Sequence, residues 1–434
     1  MTIVMKRYIH TIAALAAAFL AGACAEMMNE ADKAEVIRLI DVAYKVDIAD
    51  FSDPEGNTVS APDEWFADLE VKFNNFSEMI ETVVPVGSDG IAKARLTPGI
   101  YNVTVRKTEK LGGKSYILNA LNQNVALIDD VTPERIDAST TISVRPILGS
   151  PICFREIYYC GAPGNYFRGQ FYEIYNNGDE TVYLDHLCLT QLHPAYATTS
   201  LPAWPAEDGV DRYAYGVTLW QIQGDGDDWP LLPGESVVIS QEAADHTKNT
   251  SFSGAFGLID NSKSEWECWA GNPQRVNEDV PDLPYVFWSG YINKMQWLTA
   301  VSGSAFCLYQ PGRNLAFGDE DYWKVGVTTQ KVIGGSGQEY ARMPVGDILD
   351  AVELIPTMSD LNMKRIPGII DSGAASVGGT YLGKSICRKV VATRDDGTPI
   401  YQDTNNSTED FEVMDRPAIR RNGERRPSWS PWAE

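Results

Sequence analysis

The sequence predicts an all-β protein made of two β-sandwich domains in tandem, and three observations support this fold class. The chain has 434 residues, more than one hydrophobic core usually organises, so two domains are expected. Short apolar and β-branched runs recur between Pro and Gly turns, which is typical of sandwiches. Residues 171–190 contain two such runs around the turn residues 176–179, which predicts a β-hairpin.

Residues 1–23 have the pattern of a secretory signal peptide. Two basic residues precede an apolar run that ends at Leu20, and small residues then lead into Cys24. The run is shorter than the roughly 20 apolar residues that span a bilayer. Cys24 is placed as in bacterial lipoproteins, so we expect it to be lipidated, with residues 24–34 as a tether. The alternative is an ordinary secreted protein with a free Cys24.

Residues 35–147 predict the smaller, first sandwich. Strand-like runs are separated by turns such as Asp89-Gly90 and Thr97-Pro98-Gly99. The segment 94–105, which reads A-R-L-T-P-G-I-Y-N-V-T-V, resembles the transthyretin-like modules that act as spacers in surface proteins. That resemblance implies a structural role, lifting the second domain off the membrane.

Residues 151–415 predict the second sandwich, after a linker at 147–151. Two long segments, 191–231 and 260–297, are rich in Trp and Tyr and are predicted to be insertions in this sandwich. Long loops on a rigid scaffold often carry function. Residues 416–434 contain several arginines and are predicted to be a solvated, polar basic tail.

Two motifs near the ends of the second domain carry a resemblance to a known family. The hairpin reads F-Y-E-I-Y-N-N-G-D-E-T-V-Y-L over 171–184; a strand G-K-S-I-C-R at 383–388 is followed by D-T-N-N-S-T-E-D-F at 403–411. Together they resemble the two ends of a lamin-tail-like, immunoglobulin-type sandwich, in which both patterns are structural.

The whole chain resembles a family of Bacteroidota outer-membrane lipoproteins, with a small transthyretin-like or Ig-like sandwich followed by an enlarged lamin-tail-like domain. The resemblance implies a cell-surface accessory of nutrient uptake. It also implies attachment to the outer membrane through the Cys24 lipid, with a TonB-dependent transporter or another surface protein as a candidate partner. The acidic residues after Cys24 are compatible with a protein that faces outward, and attachment to the inner leaflet is the alternative.

Charge and motif content narrow the function classes. The formal net charge of −23 repels phosphate backbones, so no nucleic-acid partner is expected. After the signal peptide the histidines are His186, His193 and His246, and neither G-x-S-x-G nor H-E-x-x-H occurs. We therefore predict no enzyme and no catalytic residue. A hydrolase in the acidic loops is the weakest alternative.

The predicted binding residues are aromatic. Trp outside a core tends to occur at binding surfaces, where its flat face stacks on a ligand. The candidate ligand or partner contacts are Trp220, Trp229, Trp266, Trp269 and Trp288. The competing interpretation is that these residues only fill an enlarged core, in which case the protein is a structural or adhesive lipoprotein without a small-molecule site.

Asp225, Asp227 and Asp228 form a candidate calcium site, because their carboxylates offer hard oxygen ligands. The rest of an EF-hand pattern is missing, so an exposed acidic turn is the competing interpretation. No other cofactor is predicted.

The six cysteines after Cys24 are expected to be mostly reduced core thiols, because several lie within apolar strand runs. The alternative is a set of disulfides, and a pair among Cys153, Cys160 and Cys188 is the strongest candidate for a bridge. No pair of cysteines has zinc-ligand spacing.

Overall fold

The computed structural model describes residues 38–433 apart from 54–56, 76, 113, 206–208, 210–211, 250, 253–255, 290–295, 319–328 and 332–338. The predicted signal peptide, Cys24 and tether lie outside the described residues. The described chain is organised in β-sheets, and the predicted all-β class is confirmed. No helix in this part of the chain is long and apolar enough to cross a membrane.

The first domain is a sandwich of a three-stranded and a five-stranded sheet. Its strands are β1 (Ile40–Ile48), β2 (Phe51–Ser52), β3 (Thr58–Val59), β4 (Glu70–Asn75), β5 (Ile80–Pro85), β6 (Ile91–Leu96), β7 (Gly99–Leu111), β8 (Lys114–Leu127), β9 (Thr141–Val144) and β10 (Ile147–Leu148). The sheet orders are β6-β1-β9 and β10-β8-β7-β4-β5, and β2 pairs with β3. Short 3-10 helices lie at Asp63–Phe66, Pro133–Arg135 and Ala138–Thr140. Alternate residues point inward, so Tyr44, Phe73 and Tyr101 meet in the core.

The predicted linker belongs to the first domain's sheet. Ile147 and Leu148 pair with Ile117 and Tyr116 at the edge of the five-stranded sheet. Gly149 N–H donates to the Ser115 carbonyl at 2.9 Å. The backbone of this segment is therefore hydrogen-bonded, which sequence composition alone does not reveal.

The second domain is a larger sandwich. Its strands are β11 (Ile152–Tyr158), β12 (Phe171–Asn176), β13 (Val182–Tyr183), β14 (Cys188–Leu192), β15 (Tyr213–Gln221), β16 (Pro230–Leu231), β17 (Ser236–Ser240), β18 (Trp266–Glu267), β19 (Tyr285–Trp288), β20 (Ala305–Tyr309), β21 (Thr329–Lys331), β22 (Glu339–Pro344), β23 (Ile348–Glu353), β24 (Ser385–Arg388), β25 (Val390–Thr393), β26 (Pro399–Tyr401) and β27 (Phe411–Met414). Short helices lie at His246–Lys248, Val345–Asp347, Leu361–Met363 and Ser407–Asp410.

Two sheets face each other across the main core of this domain. The six-stranded sheet has the order β18-β17-β12-β11-β24-β27. The seven-stranded sheet has the order β21-β22-β15-β14-β20-β23, with β19 pairing β15 beside this path. The small pairs β13-β16 and β25-β26 complete the described strands.

The interpretation of 191–231 and 260–297 as insertions is wrong where they contain strands. β15 lies inside the first segment and pairs with β14, β19 and β22. β18 and β19 lie inside the second segment and extend the two sheets. Both faces of β15 are covered, so its sequence lacks the apolar-polar alternation that identifies a half-exposed strand.

The predicted solvated tail at 416–434 is also wrong for its described residues. Residues 416–433, here called the C-terminal strap, cover the outer face of the six-stranded sheet. Arg420 and Arg426 both pair with the buried carboxylate of Glu265, at 3.0 and 2.7 Å. Arg421 pairs with Glu156 at 3.1 Å. These arginines neutralise carboxylates that the sheet presents under the strap, which is why the segment is not free in solvent.

All six described cysteines are free and buried, as predicted for reduced core thiols, and the candidate bridge is not formed. Cys160 lies in the main core, Cys153 packs with Tyr175 and Tyr401 on the outer face of the six-stranded sheet, and Cys188 lies in the outer layer of the seven-stranded sheet. The three thiols are thus separated by sheets. Burial raises the pKa of the Cys153 and Cys188 thiols, as expected for inert core cysteines.

The two sandwiches are docked through buried polar contacts. The Asn119 side chain, on β8, is fully buried and donates to the carbonyls of Gly368 and Asn405 at 2.9 and 2.8 Å. Gln123 donates to the Leu361 carbonyl at 3.2 Å. These contacts close one side of a cleft between the domains.

Candidate functional site

Four rings cluster where β14 ends. His193 directly follows β14, Tyr215 lies on β15 and Tyr340 on β22. Trp204 stacks on Tyr215, with ring centroids 3.7 Å apart and planes 11° apart. The His193 and Tyr340 ring centroids are 4.1 Å apart. This ring cluster lies between two clefts. His193, Trp204 and Tyr215 line an interdomain cleft, and His193 and Tyr340 line an aromatic cleft.

A buried arginine holds the backbone at this cluster. The Arg365 side chain is fully buried and pairs with Glu353 at 2.7 Å. It also donates to the Pro194 carbonyl at 3.2 Å, while His193 N–H donates to the Tyr215 carbonyl at 2.8 Å. The position of the ring cluster is therefore set by the sheet below it rather than by a free loop.

The interdomain cleft has a volume of about 500 Å³. It lies between β8 of the first domain and the ring cluster of the second. Its described lining residues are Leu121, Gln123, Leu192, His193, Trp204, Pro205, Gly209, Tyr213, Ala214, Tyr215, Lys364, Arg365, Ile366, Pro367 and Gly368.

The aromatic cleft, on the other side of His193, has a volume of about 530 Å³, within the range of small-ligand sites. Its described lining combines aromatic and aliphatic faces with hydroxyl and amide groups. The lining residues are Gln191, His193, Pro194, Ala195, Tyr196, Thr198, Ser200, Val217, Thr218, Trp288, Ser289, Gln296, Trp297, Leu298 and Tyr340. None of them is Asp, Glu, Lys or Arg, although the chain carries a net charge of −23.

His193 adds no charge to this cleft at neutral pH. Burial, with a smaller contribution from the nearby Arg365 guanidinium, lowers the pKa of His193 to about 4. The imidazole is therefore neutral at pH 7 and acts as a flat polar wall. A group with this pKa is a poor general acid or base near neutrality.

Of the five predicted tryptophans, Trp288 lines a cleft. Trp220 is fully buried in the main core against Tyr285 and Trp297, so its prediction as a ligand contact is wrong. Trp269 is half-buried and donates its indole N–H to the Asn272 carbonyl at 2.7 Å, within its own turn. It is absent from the lining of both clefts.

Trp229 and Trp266 have a structural partner that the sequence did not suggest. Trp266 is 4% exposed, and its ring lies 5.2 Å from that of Trp429 in the C-terminal strap. Trp229 packs against both of these rings, at 5.5 and 5.0 Å, and donates to the Gln223 carbonyl. The prediction of Trp266 as a ligand contact is wrong, because the strap covers it. Trp229 is half-buried, packs against the same rings and is absent from the described lining of both clefts.

The predicted calcium residues are not arranged as a metal site. The buried Asp185 carboxylate accepts the backbone N–H groups of Gly226, Asp228 and Trp229 at 3.0–3.1 Å, which shapes this turn. Asp228 accepts the Asp225 N–H at 2.8 Å. Among the described residues, no group of three or more His, Cys, Asp or Glu side chains is placed to hold a metal ion.

Several cleft residues carry no signal in the sequence. Tyr196, Thr198 and Ser200 lie in a segment after β14 that reads as ordinary loop. Tyr340 comes from a strand about 140 residues further along the chain, and no local pattern links it to His193. The density of aromatic residues was a usable signal, but it did not separate core positions from cleft positions.

The fold and this site define a class: an all-β protein of two docked sandwiches, with an aromatic cleft on the second whose described lining carries no Asp, Glu, Lys or Arg. A crystal structure of a DUF4876 family protein from Bacteroides thetaiotaomicron VPI-5482 is 35% identical to the chain, with a TM-score of 0.59, and covers 90% of this chain and 99% of that one. The family model described as Protein of unknown function (DUF4876) matches residues 232–418. The chain belongs to the DUF4876 family.

Two further comparisons add no functional information. A DUF3823 family protein from Parabacteroides merdae ATCC 43184 is 12% identical, with a TM-score of 0.15, over 37% of this chain and 67% of that one. A likeness of that size carries no argument. No curated protein matches the chain.

Proposed function

We propose that this protein is a non-enzymatic surface lipoprotein that captures a neutral, carbohydrate-like ligand in the aromatic cleft. The observation that carries the proposal is that the described lining of that cleft contains no Asp, Glu, Lys or Arg in a strongly acidic protein. A charged ligand needs an opposite charge in its site, because desolvating an unpaired charge is costly. A neutral ligand does not have that requirement.

The groups present suit a sugar ring. Half-buried Trp288 and the 61% exposed Tyr196 offer flat faces for stacking, while hydroxyl and amide groups offer hydrogen bonds. Trp297 donates its indole N–H to the Gln191 side-chain oxygen at 3.2 Å, which holds that amide in the cleft wall. A site of this kind on a rigid sheet binds without needing any catalytic group.

Location and partner form the second part of the proposal. A diacyl-type lipid on Cys24 anchors the protein in the outer membrane, and a TonB-dependent transporter receives the captured ligand. Two or more acyl chains give durable attachment, whereas one gives only marginal binding. Metabolic labelling with a palmitate analogue is expected to mark the wild type but not Cys24→Ser. Label retained by the variant contradicts the anchor.

Replacing Trp288 or Tyr196 by alanine is expected to weaken ligand capture by roughly thirtyfold, since an aromatic anchor contributes about 2 kcal/mol. Affinity is measured by titration calorimetry with a panel of neutral oligosaccharides. Tyr183→Ala is the matched control: Tyr183 is 44% exposed and is absent from the described lining of both clefts.

Trp220→Ala separates binding from packing. Because Trp220 is fully buried, its replacement by alanine is expected to lower folding stability by about 3–5 kcal/mol. Equal loss of stability in Tyr196→Ala, or unchanged affinity in both cleft variants, overturns the binding proposal. The structural or adhesive interpretation would then be favoured.

A further inference from the structure

One end of the first sandwich carries a group of exposed apolar side chains. Met79 is 93% exposed, and Ile100 and Ile128 are each 60% exposed. Leu39 and Ile80 are 44% and 37% exposed. Scattered single residues of this kind are normal, but several at one end of a domain indicate an interaction surface. These five residues are here called the apolar tip.

Strand register brings the turns of the tip together. Gly99 pairs with Leu127 across β7 and β8, so the residues that follow each of them, Ile100 and Ile128, lie at the same end of this strand pair. The turn that carries Met79 lies beside them, because Thr97 Oγ1 donates to the Glu78 carboxylate at 3.0 Å.

The first described residues of the chain lie at this same end. Ile40 pairs with Leu96 at the start of β1, and Arg38 lies 3.6 Å from the Asp129 carboxylate. Arg38 is 14 positions after Cys24. Even a fully extended chain of that length spans only about 50 Å, so a lipid on Cys24 keeps the tip near the bilayer.

We propose that the apolar tip contacts the surface of a neutral lipid bilayer beside the lipid anchor. The inference rests on the proposed lipidation of Cys24. Because the anchor holds the tip at a high effective concentration beside the bilayer, a few apolar side chains partly inserted among the lipids are enough to keep the tip in contact. The contact orients the first sandwich on the membrane instead of leaving it to swing on its tether.

The charges around the tip select the lipid. The exposed carboxylates of Asp41, Glu78, Asp129 and Asp130 lie beside it. The cations near them in the described chain are Arg38, which pairs with Asp129 at 3.6 Å, Arg95, which pairs with Asp41 at 4.0 Å, and Arg135, which donates to the Asp130 carbonyl at 3.4 Å. Four carboxylates and three guanidinium groups leave one net negative charge beside the tip, which disfavours anionic headgroups within about a Debye length. Zwitterionic headgroups, such as phosphatidylcholine or phosphatidylethanolamine, carry no such penalty.

The test uses the mature lipoprotein reconstituted in phosphatidylcholine vesicles. Met79→Cys is labelled with an environment-sensitive maleimide fluorophore; the six described native cysteines are buried and unreactive. Emission from position 79 is expected to rise severalfold on reconstitution and to be quenched by nitroxide lipids. The signal is expected to weaken in vesicles rich in phosphatidylglycerol. Label appearing on Cys24 itself reports a missing anchor, which separates failure of the anchor from failure of the tip.

Two further reporters make the outcome decisive. Ile128→Cys repeats the measurement at a position without the positive φ of 54° that Met79 adopts. Tyr183→Cys, in the second domain, is the solvent-exposed control. If the labels at positions 79 and 128 emit in vesicles as they do in water, and as the label at position 183 does, the proposal is overturned. A concentration-dependent rise without vesicles also overturns it, because it identifies a second copy of the chain as the partner.

Discussion

Replacing Arg388 by methionine is expected to destabilise the second sandwich by about 3–5 kcal/mol, the usual cost of leaving buried charges without their partner. The Arg388 side chain is 1% exposed and pairs with Asp350, Asp403 and Asp410 at 2.7, 3.1 and 3.2 Å. It also donates to the Phe154 carbonyl at 2.8 Å. It therefore joins β24 and β11 to Asp350 on β23, across the two sheets.

The loss of folding stability in Arg388→Met is expected to depend on pH. Burial raises the pKa of Asp350, and Arg388 opposes that rise. Without Arg388 the pKa rises further, so the folded state holds a proton that the unfolded chain releases above about pH 4. The variant should therefore be least stable at pH 8 and partly recover at pH 5.

Urea unfolding followed by tryptophan fluorescence measures this effect, because ten of the 11 tryptophans lie in the second domain and strap. Arg95→Met is the control, since its ion pair with Asp41 is 71% and 85% exposed and such pairs contribute about 0–1 kcal/mol. An equal loss of folding stability in the two variants would show that the buried Arg388 cluster stabilises the fold no more than an exposed ion pair does.

Removing residues 416–434 is expected to cost at least about 3–5 kcal/mol, and to leave the second sandwich aggregation-prone. Glu265, whose side chain is fully buried, loses both Arg420 and Arg426. Trp266 and Trp229 lose their cover, Trp429. Removing a tail that lay free in solvent would leave the free energy of unfolding almost unchanged.

Thermal unfolding of two truncated chains tests the strap. Deleting only residues 433 and 434 is the control, because Ala433 is exposed and pairs with no carboxylate in the described structure. The Arg420→Met/Arg426→Met double variant isolates the charge effect on Glu265 from the loss of packing. A melting temperature unchanged by the longer deletion contradicts the assigned role.

The motif that suggested a sandwich end is explained by the same cluster. Arg388 comes from G-K-S-I-C-R, and Asp403 and Asp410 come from D-T-N-N-S-T-E-D-F. Asp410 also accepts the Thr404 N–H at 2.8 Å, which closes the turn between them. The spacing in the sequence therefore encodes a buried ion cluster, and its role in this structure is structural.

The sequence by itself determined the all-β class and several first-domain strands, because these rest on local alternation and turn residues. The hairpin predicted at 171–190 is wrong: β12 pairs with β11 and β17 in the six-stranded sheet, whereas β14 pairs with β15 and β20 in the seven-stranded sheet. Of the five tryptophans that the sequence suggested as ligand contacts, Trp288 lines the aromatic cleft. Only the tertiary structure decided which tryptophans are covered, that 416–433 is a strap, and that His193, Tyr196, Trp288 and Tyr340 share one cleft. Local patterns record whether a residue is apolar. Whether an apolar face meets the core, another segment or open solvent depends on strand pairings between residues far apart in the chain, which no local pattern contains.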